Sequence, residues 1–113
     1  MQITEYGNEN ARVVLIQPVD DHDLAYINNE IDYLRDNTDT DFRLITVKVN
    51  SWNYDLSPWN APAVFGREGF GDGAASFLDQ ILKLCKDSSK TYILGGYSLA
   101  GLFALWAAYQ TDL

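Results

Sequence analysis

The sequence predicts an α/β domain: a mostly parallel sheet with helices on both faces, layered α, β, α. Three apolar runs, at 12–18 (RVVLIQP), 42–49 (FRLITVKV) and 91–95 (TYILG), are rich in aliphatic and β-branched residues at successive positions. That is the pattern of strands buried on both faces. The segments between them carry apolar residues at helical spacing, and strands alternating with helices build right-handed crossovers around a parallel sheet. With 113 residues, 47% hydrophobic and 21% charged, the chain reads as a single domain with its own core.

Residues 1–6 (MQITEY) alternate briefly and suggest a short edge strand ahead of strand 12–18. A helix over 23–37 follows, with Leu24, Ile27, Ile31 and Leu34 on one stripe and Asn28, Glu30 and Asp32 opposite. Asp20, Asp21 and Asp23 suit its positive N-terminal end. After strand 42–49 comes a connection over 49–72, too long for a simple link. It holds Trp52, Tyr54, Trp59, Phe65 and Phe70 among prolines and glycines. Long ordered loops in compact domains usually serve function, and this one leaves the sheet edge where open α/β sheets bind ligands. Trp52 and Trp59 are therefore expected to shape a substrate pocket; the plainer alternative is that such aromatics weld the loop to the core. A helix over 73–86 should follow, N-capped by Asp72, with Ala75, Leu78, Ile81, Leu82 and Cys85 inward. The final helix, 99–110, is apolar on every side and is expected to be covered all round.

A net charge of −8, with 8 scattered basic residues, argues against nucleic acid and anionic lipid as partners. The single cysteine, Cys85, cannot form an internal disulfide and reads as a small core residue. The N-terminus lacks a signal-peptide layout, and the longest apolar run, 99–109, is too short to span a bilayer. A soluble, cytoplasmic protein is expected. No metal or cofactor is expected either. Asp20-Asp21-His22-Asp23 points its side chains in different directions, and Asp36, Asp39 and Asp41 lack the glycine and glutamate of a calcium loop. Gly69-Phe70-Gly71-Asp72-Gly73 matches no phosphate-binding fingerprint.

The sharpest signal is Gly95-Gly96-Tyr97-Ser98-Leu99-Ala100-Gly101, set between strand 91–95 and the last helix. It reads as a nucleophile elbow, a tight strand-to-helix turn that lifts Ser98 Oγ above the sheet. The turn brings positions two before and two after the serine together, so Gly96 and Ala100 must be small. The Leu99 N–H is the expected first oxyanion donor, and the second is expected from the backbone of Val19 or Asp20 after the first strand. No histidine follows Ser98, and the only downstream acid, Asp112, lies beyond a helix that carries it roughly 20 Å away. His22 reads as a polar residue at a helix mouth, with use as an improvised base as its alternative.

The strings LIQPVDDHDL, VNSWNYDLSPWNAPAVFGREGFGDGA and YILGGYSLAGLFALWAAYQTDL resemble the N-terminal half of a bacterial esterase family in the α/β-hydrolase superfamily. The resemblance covers nearly all of this chain and about half of a full member. It implies a partial α/β-hydrolase fold and a serine esterase acting on a small-molecule ester, with Ser98 as nucleophile. It also implies that the triad acid, the histidine and further strands belong to a C-terminal half, and that strand 12–18 lies between strands 42–49 and 91–95. The alternative expectation is a non-catalytic fragment whose exposed sheet edge and apolar last helix pair with another chain, giving a homo-oligomer.

Overall fold

The computed structural model describes residues 2–64 and 66–111. The elements are β1 (Gln2–Gly7), β2 (Val13–Val19), α1 (Asp21–Ala25), α2 (Ile27–Asn37), β3 (Phe42–Lys48), α3 (Trp52–Asp55), α4 (Ala74–Leu82), β4 (Thr91–Leu94) and α5 (Leu99–Ala108). The strand order is β1-β3-β2-β4. Strand β2 runs parallel to both neighbours, in register Val13 with Phe42 and with Thr91. The implied placement of the first apolar run between the other two is thus observed.

The sheet is mixed, which corrects the expectation of a mostly parallel one. Strand β1 pairs antiparallel with β3, from Gln2 opposite Lys48 to Gly7 opposite Arg43. The reason lies in the five residues 8–12, too few for the crossover that parallel neighbours need. The chain reverses after β1, so β1 runs against β2 and therefore also against β3. An ion pair between Arg43 and Glu5 ties the two strands together.

Side chains alternate across the sheet as a two-sided core requires. Val14, Ile16, Ile45 and Val47 pack on one face against Phe77, Leu78 and Ile81 of α4 and Ala100, Phe103 and Ala107 of α5. On the other face Phe42 and Leu44 meet Ile27 and Ile31 of α2, with Val13, Leu15 and Leu34 alongside. Phe103 is fully buried and meets the Phe77 ring edge-on at 5.4 Å.

Five local expectations need correction. The first helix starts earlier and breaks in two: Asp20 is its N-cap in a capping box with Asp23, and Tyr26 (φ −111°, ψ 9°) ends α1 and begins α2. Helix α4 is preceded by Gly73, not capped by Asp72. Its leading amides are satisfied by loop carbonyls instead, Gly73 N–H donating to Tyr54 O at 2.9 Å and Ala74 N–H to Ser57 O at 3.1 Å. On that helix Ala74 and Phe77 turn inward and Ala75 outward. Strand β4 is half exposed, with β2 as its strand partner among the described residues. Finally, α5 is not covered all round: Leu102, Leu105 and Tyr109, at i, i+3 and i+7, are 42%, 59% and 83% exposed.

Cys85 is half-buried with Sγ facing Ile81 O, and burial pushes its thiol pKa up, as suits a core residue. Among the described residues no helix is long and apolar enough to cross a membrane, and no three His, Cys, Asp or Glu side chains gather to hold a metal.

Glu30 of α2 leans over β2, where the Gln17 amide, oriented with its nitrogen toward the carboxylate, donates to both oxygens at 3.0 and 3.1 Å. Partial burial raises the Glu30 pKa, and the Gln17 hydrogen bond opposes that rise less strongly. The folded state therefore holds this proton more tightly than the unfolded chain, so stability falls as pH climbs from the ordinary carboxylate range through the raised value. Glu30→Gln is expected to raise the thermal midpoint at about pH 7 and to leave it unchanged near pH 4, where the native carboxyl is protonated. Parallel melts of the two proteins across that range check this.

Candidate active site at the β4–α5 turn

Strand β4 continues its ladder one step beyond Leu94, with Gly95 N–H donating to Ile16 O at 3.0 Å. The chain then bends sharply into α5. Ser98 sits at the bend with φ 55° and ψ −120°, the one non-glycine residue with positive φ among the described residues. L-residues avoid this conformation because the side chain crowds the backbone, and where it persists the surroundings enforce it. Ala100 N–H donates to Tyr97 O, while Gly101 and Leu102 N–H both donate to Ser98 O, all at 3.0 to 3.1 Å. The Ser98 side chain is exposed and makes no capping hydrogen bond, which leaves Oγ uncommitted.

The small residues flanking the serine have a direct steric reason. A Cβ on Gly96 would lie 2.6 Å from Ala100 C and 2.7 Å from Ala100 O. Ala100 is itself fully buried, so the turn closes on it without slack.

Leu99 N–H, first in α5, meets no acceptor among the described residues and lies at the positive end of the helix. The β2 end is differently arranged. Val19 is fully buried and its carbonyl accepts from Val49 N–H at 3.0 Å. The Asp20 N–H is engaged by Asp23 Oδ2 at 3.2 Å, and Asp20 Oδ1 in turn accepts from Asp23 N–H at 2.8 Å. As an oxyanion donor Asp20 would have to exchange its Asp23 contact for the ligand. The Asp23 carboxyl pKa is raised, chiefly by burial and also by the neighbouring Asp20 charge. Both positions lie at the same sheet edge as Ser98, because β2 and β4 are parallel and in register from Val13 to Ile16.

Trp52 and Asp20 line one depression of about 280 Å³, shared with Lys48, Asn50, Asp21 and Gln2. Trp59 does not join it; it is 57% exposed, and its carbonyl accepts from Ser57 Oγ at 2.6 Å. A second hollow of about 250 Å³ lies under the elbow, walled by Gly95, Gly96 and Tyr97 on one side and by Gln17 and Glu30 on the other. His22 is exposed and packs edge-on to Tyr26 at 5.3 Å. Asp112 and Phe65 lie outside the described residues. Lys48 and Asn50 escaped sequence reading, since each looks like an ordinary strand end or loop residue until Trp52 is seen beside them.

No protein family, no curated protein and no solved structure matches this chain.

The elbow makes opposite demands on two adjacent glycines. Gly96→Ala places its methyl against backbone and is expected to destabilise the protein by about 1–3 kcal/mol. Gly95→Ala, whose Cβ would meet nothing within 4 Å, is expected to stay within about 0.5 kcal/mol of the parent. Urea unfolding of the two variants measures the difference.

Proposed function

We propose that this chain carries the nucleophile of a serine acyl-ester hydrolase acting on a small-molecule carboxylic ester, within an α/β-hydrolase-like architecture. The observation that carries the reading is the conformation of Ser98: a strained, exposed serine at a strand-to-helix bend, followed by a free helix-leading amide. The parallel order β3-β2-β4, with the bend directly after β4, supports it further.

In this reading Ser98 Oγ attacks the ester carbonyl carbon and its proton passes to a general base. The carbonyl oxygen becomes an oxyanion received by Leu99 N–H, with Val19 or Asp20 as the second donor. Collapse expels the alcohol, which takes up the proton, and leaves an acyl-serine that water then hydrolyses. By the resemblance, the base is a histidine oriented by an acid, both from a C-terminal half beyond the elbow helix. No cofactor takes part. A single unpaired thiol at Cys85 fits a cytoplasmic setting.

A second reading is self-association, favoured by the exposed apolar stripe Leu102, Leu105 and Tyr109 beside the half-exposed strand β4. Edge strands and apolar patches of this kind are common interaction surfaces.

A fluorophosphonate is expected to label Ser98 in a polypeptide that extends past Leu113 with an acid and a histidine, and not in its Ser98→Ala variant. Absence of label at Ser98 in that longer polypeptide overturns the hydrolase reading. For self-association, light scattering at rising concentration should give a mass above the 12.7 kDa of one chain. A monomer at all concentrations removes that reading.

A further inference from the structure

We propose that the depression at the ends of β2 and β3 binds a neutral, polyhydroxylated, sugar-like group, the alcohol portion of the ester; the role as an ester subsite rests on the hydrolase reading. Trp52 is half-buried and packed against the core, so its ring forms a fixed apolar platform. Its position is set by Asp55, whose carboxylate accepts from Asn50 N–H at 2.8 Å and Ser51 N–H at 3.1 Å and so holds α3 onto the end of β3. Around the ring stand groups with unspent hydrogen-bonding capacity. The Asn50 and Gln2 side-chain amides make no hydrogen bond among the described residues, and each offers donors and an acceptor. Lys48 Nζ meets Asp21 Oδ1 at 2.7 Å, which leaves further protons on the ammonium and further lone pairs on the carboxylate.

The chemistry of the lining selects among ligand classes. An apolar acyl chain would bury these amides without partners and strip water from the ion pair. An anion would face Asp20 and Asp21 on a chain of net charge −8, while a cation drawn to those carboxylates would have to displace the Lys48 ammonium already seated on Asp21. Each hydroxyl of a neutral polyol both donates and accepts, and the C–H face of its ring matches an aromatic platform. The location is suitable as well. Strand β2 separates β3 from β4, so the depression lies about 10 Å across the sheet edge from the elbow, two interstrand spacings. A hexose unit on Trp52 joined to an acylated neighbouring sugar unit would span that distance.

The test is direct binding, independent of turnover. Saturation-transfer NMR on the chain with methyl β-glucoside, choline and butyrate as probes is expected to show saturable transfer to the glucoside ring protons alone. Asn50→Ala, an exposed change, should weaken that binding about five-fold, the scale of one lost ligand hydrogen bond. Trp52→Ala should abolish it, and Trp52→Phe, which keeps an aromatic platform and a filled core position, should retain it. Equal or stronger transfer to choline or butyrate overturns the proposal, as does no transfer to the glucoside, or Asn50→Ala and Trp52→Ala both binding like the parent. The two readings fail separately. Phosphonate labelling of Ser98 without glucoside binding removes the sugar subsite alone, whereas glucoside binding with an unlabelled Ser98 removes the hydrolase and leaves the saccharide site.

Discussion

The close approach of Gly96 to Ala100 is the constraint on which the site depends. A bend that tight forces Ser98 into φ 55°, a conformation costing on the order of 1–3 kcal/mol in an L-residue. Such strain survives only where the helix leaving the bend is firmly held. Here Ala100, Phe103 and Ala107 are each at most 1% exposed against the sheet and α4, and filling a core site of that kind with Phe contributes about 1.5–3 kcal/mol. The last helix is therefore anchored by one face, and the anchoring holds the serine in its unfavourable pose. The exposed hydroxyl and the free Leu99 amide are consequences of the same bend rather than separate features.

Much of this was legible in the sequence because the signals are local. Strands β2, β3 and β4 fall within a residue of the apolar runs at 12–18, 42–49 and 91–95. A strand buried on both faces must be apolar at consecutive positions, which accounts for β2 and β3, whereas β4 has the same composition but stays half exposed. The tight bend at Ser98 was legible for a similar reason: small residues two before and two after a serine have a purely local steric cause. Several of the expectations that needed correction involve partners distant in sequence. Asp72 looks like a better cap than Gly73, but the first amides of α4 find Tyr54 and Ser57, and the Tyr54 ring lies so close over Gly71 and Gly73 that neither could carry a Cβ. The break at Tyr26 was masked because Leu24 and Ile27 keep the apolar spacing through it. The pocket was half legible: Trp52 stands out by type, while Lys48 and Asn50 acquire meaning only from the loop that folds back beside them.

The acids after β2 show how one feature can hold a second in place. Asp20 and Asp23 form a reciprocal pair in which each side chain takes the other's backbone N–H. The spacing D-x-x-D is a short form of the capping box and was present in the sequence as a signal. It fixes the exit of the chain from β2, and so fixes where Val19 and Asp20 present their backbone relative to the elbow. The same bonds occupy the Asp20 amide. Order at this corner and availability of that donor are thus in opposition, and the raised Asp23 pKa marks a carboxylate that is partly deprived of water in the process.

Strand β4 carries the elbow on four residues and is held through backbone ladder bonds to β2. Its side chains alternate between exposed and half-buried, and the apolar stripe of α5 opens on the surrounding solvent with Leu102, Leu105 and Tyr109. Residues of that size stabilise a structure by about 1.5–3 kcal/mol each when fully covered. Local opening free energy rises with the number of buried apolar contacts, and the outward side of this segment adds none to what its inward face already contributes. Anything that covered this side would add its burial energy to the two elements that flank the bend. Cover on that side would raise the opening free energy of the segment that carries the serine, which links the hydrolase reading to the association reading through one surface.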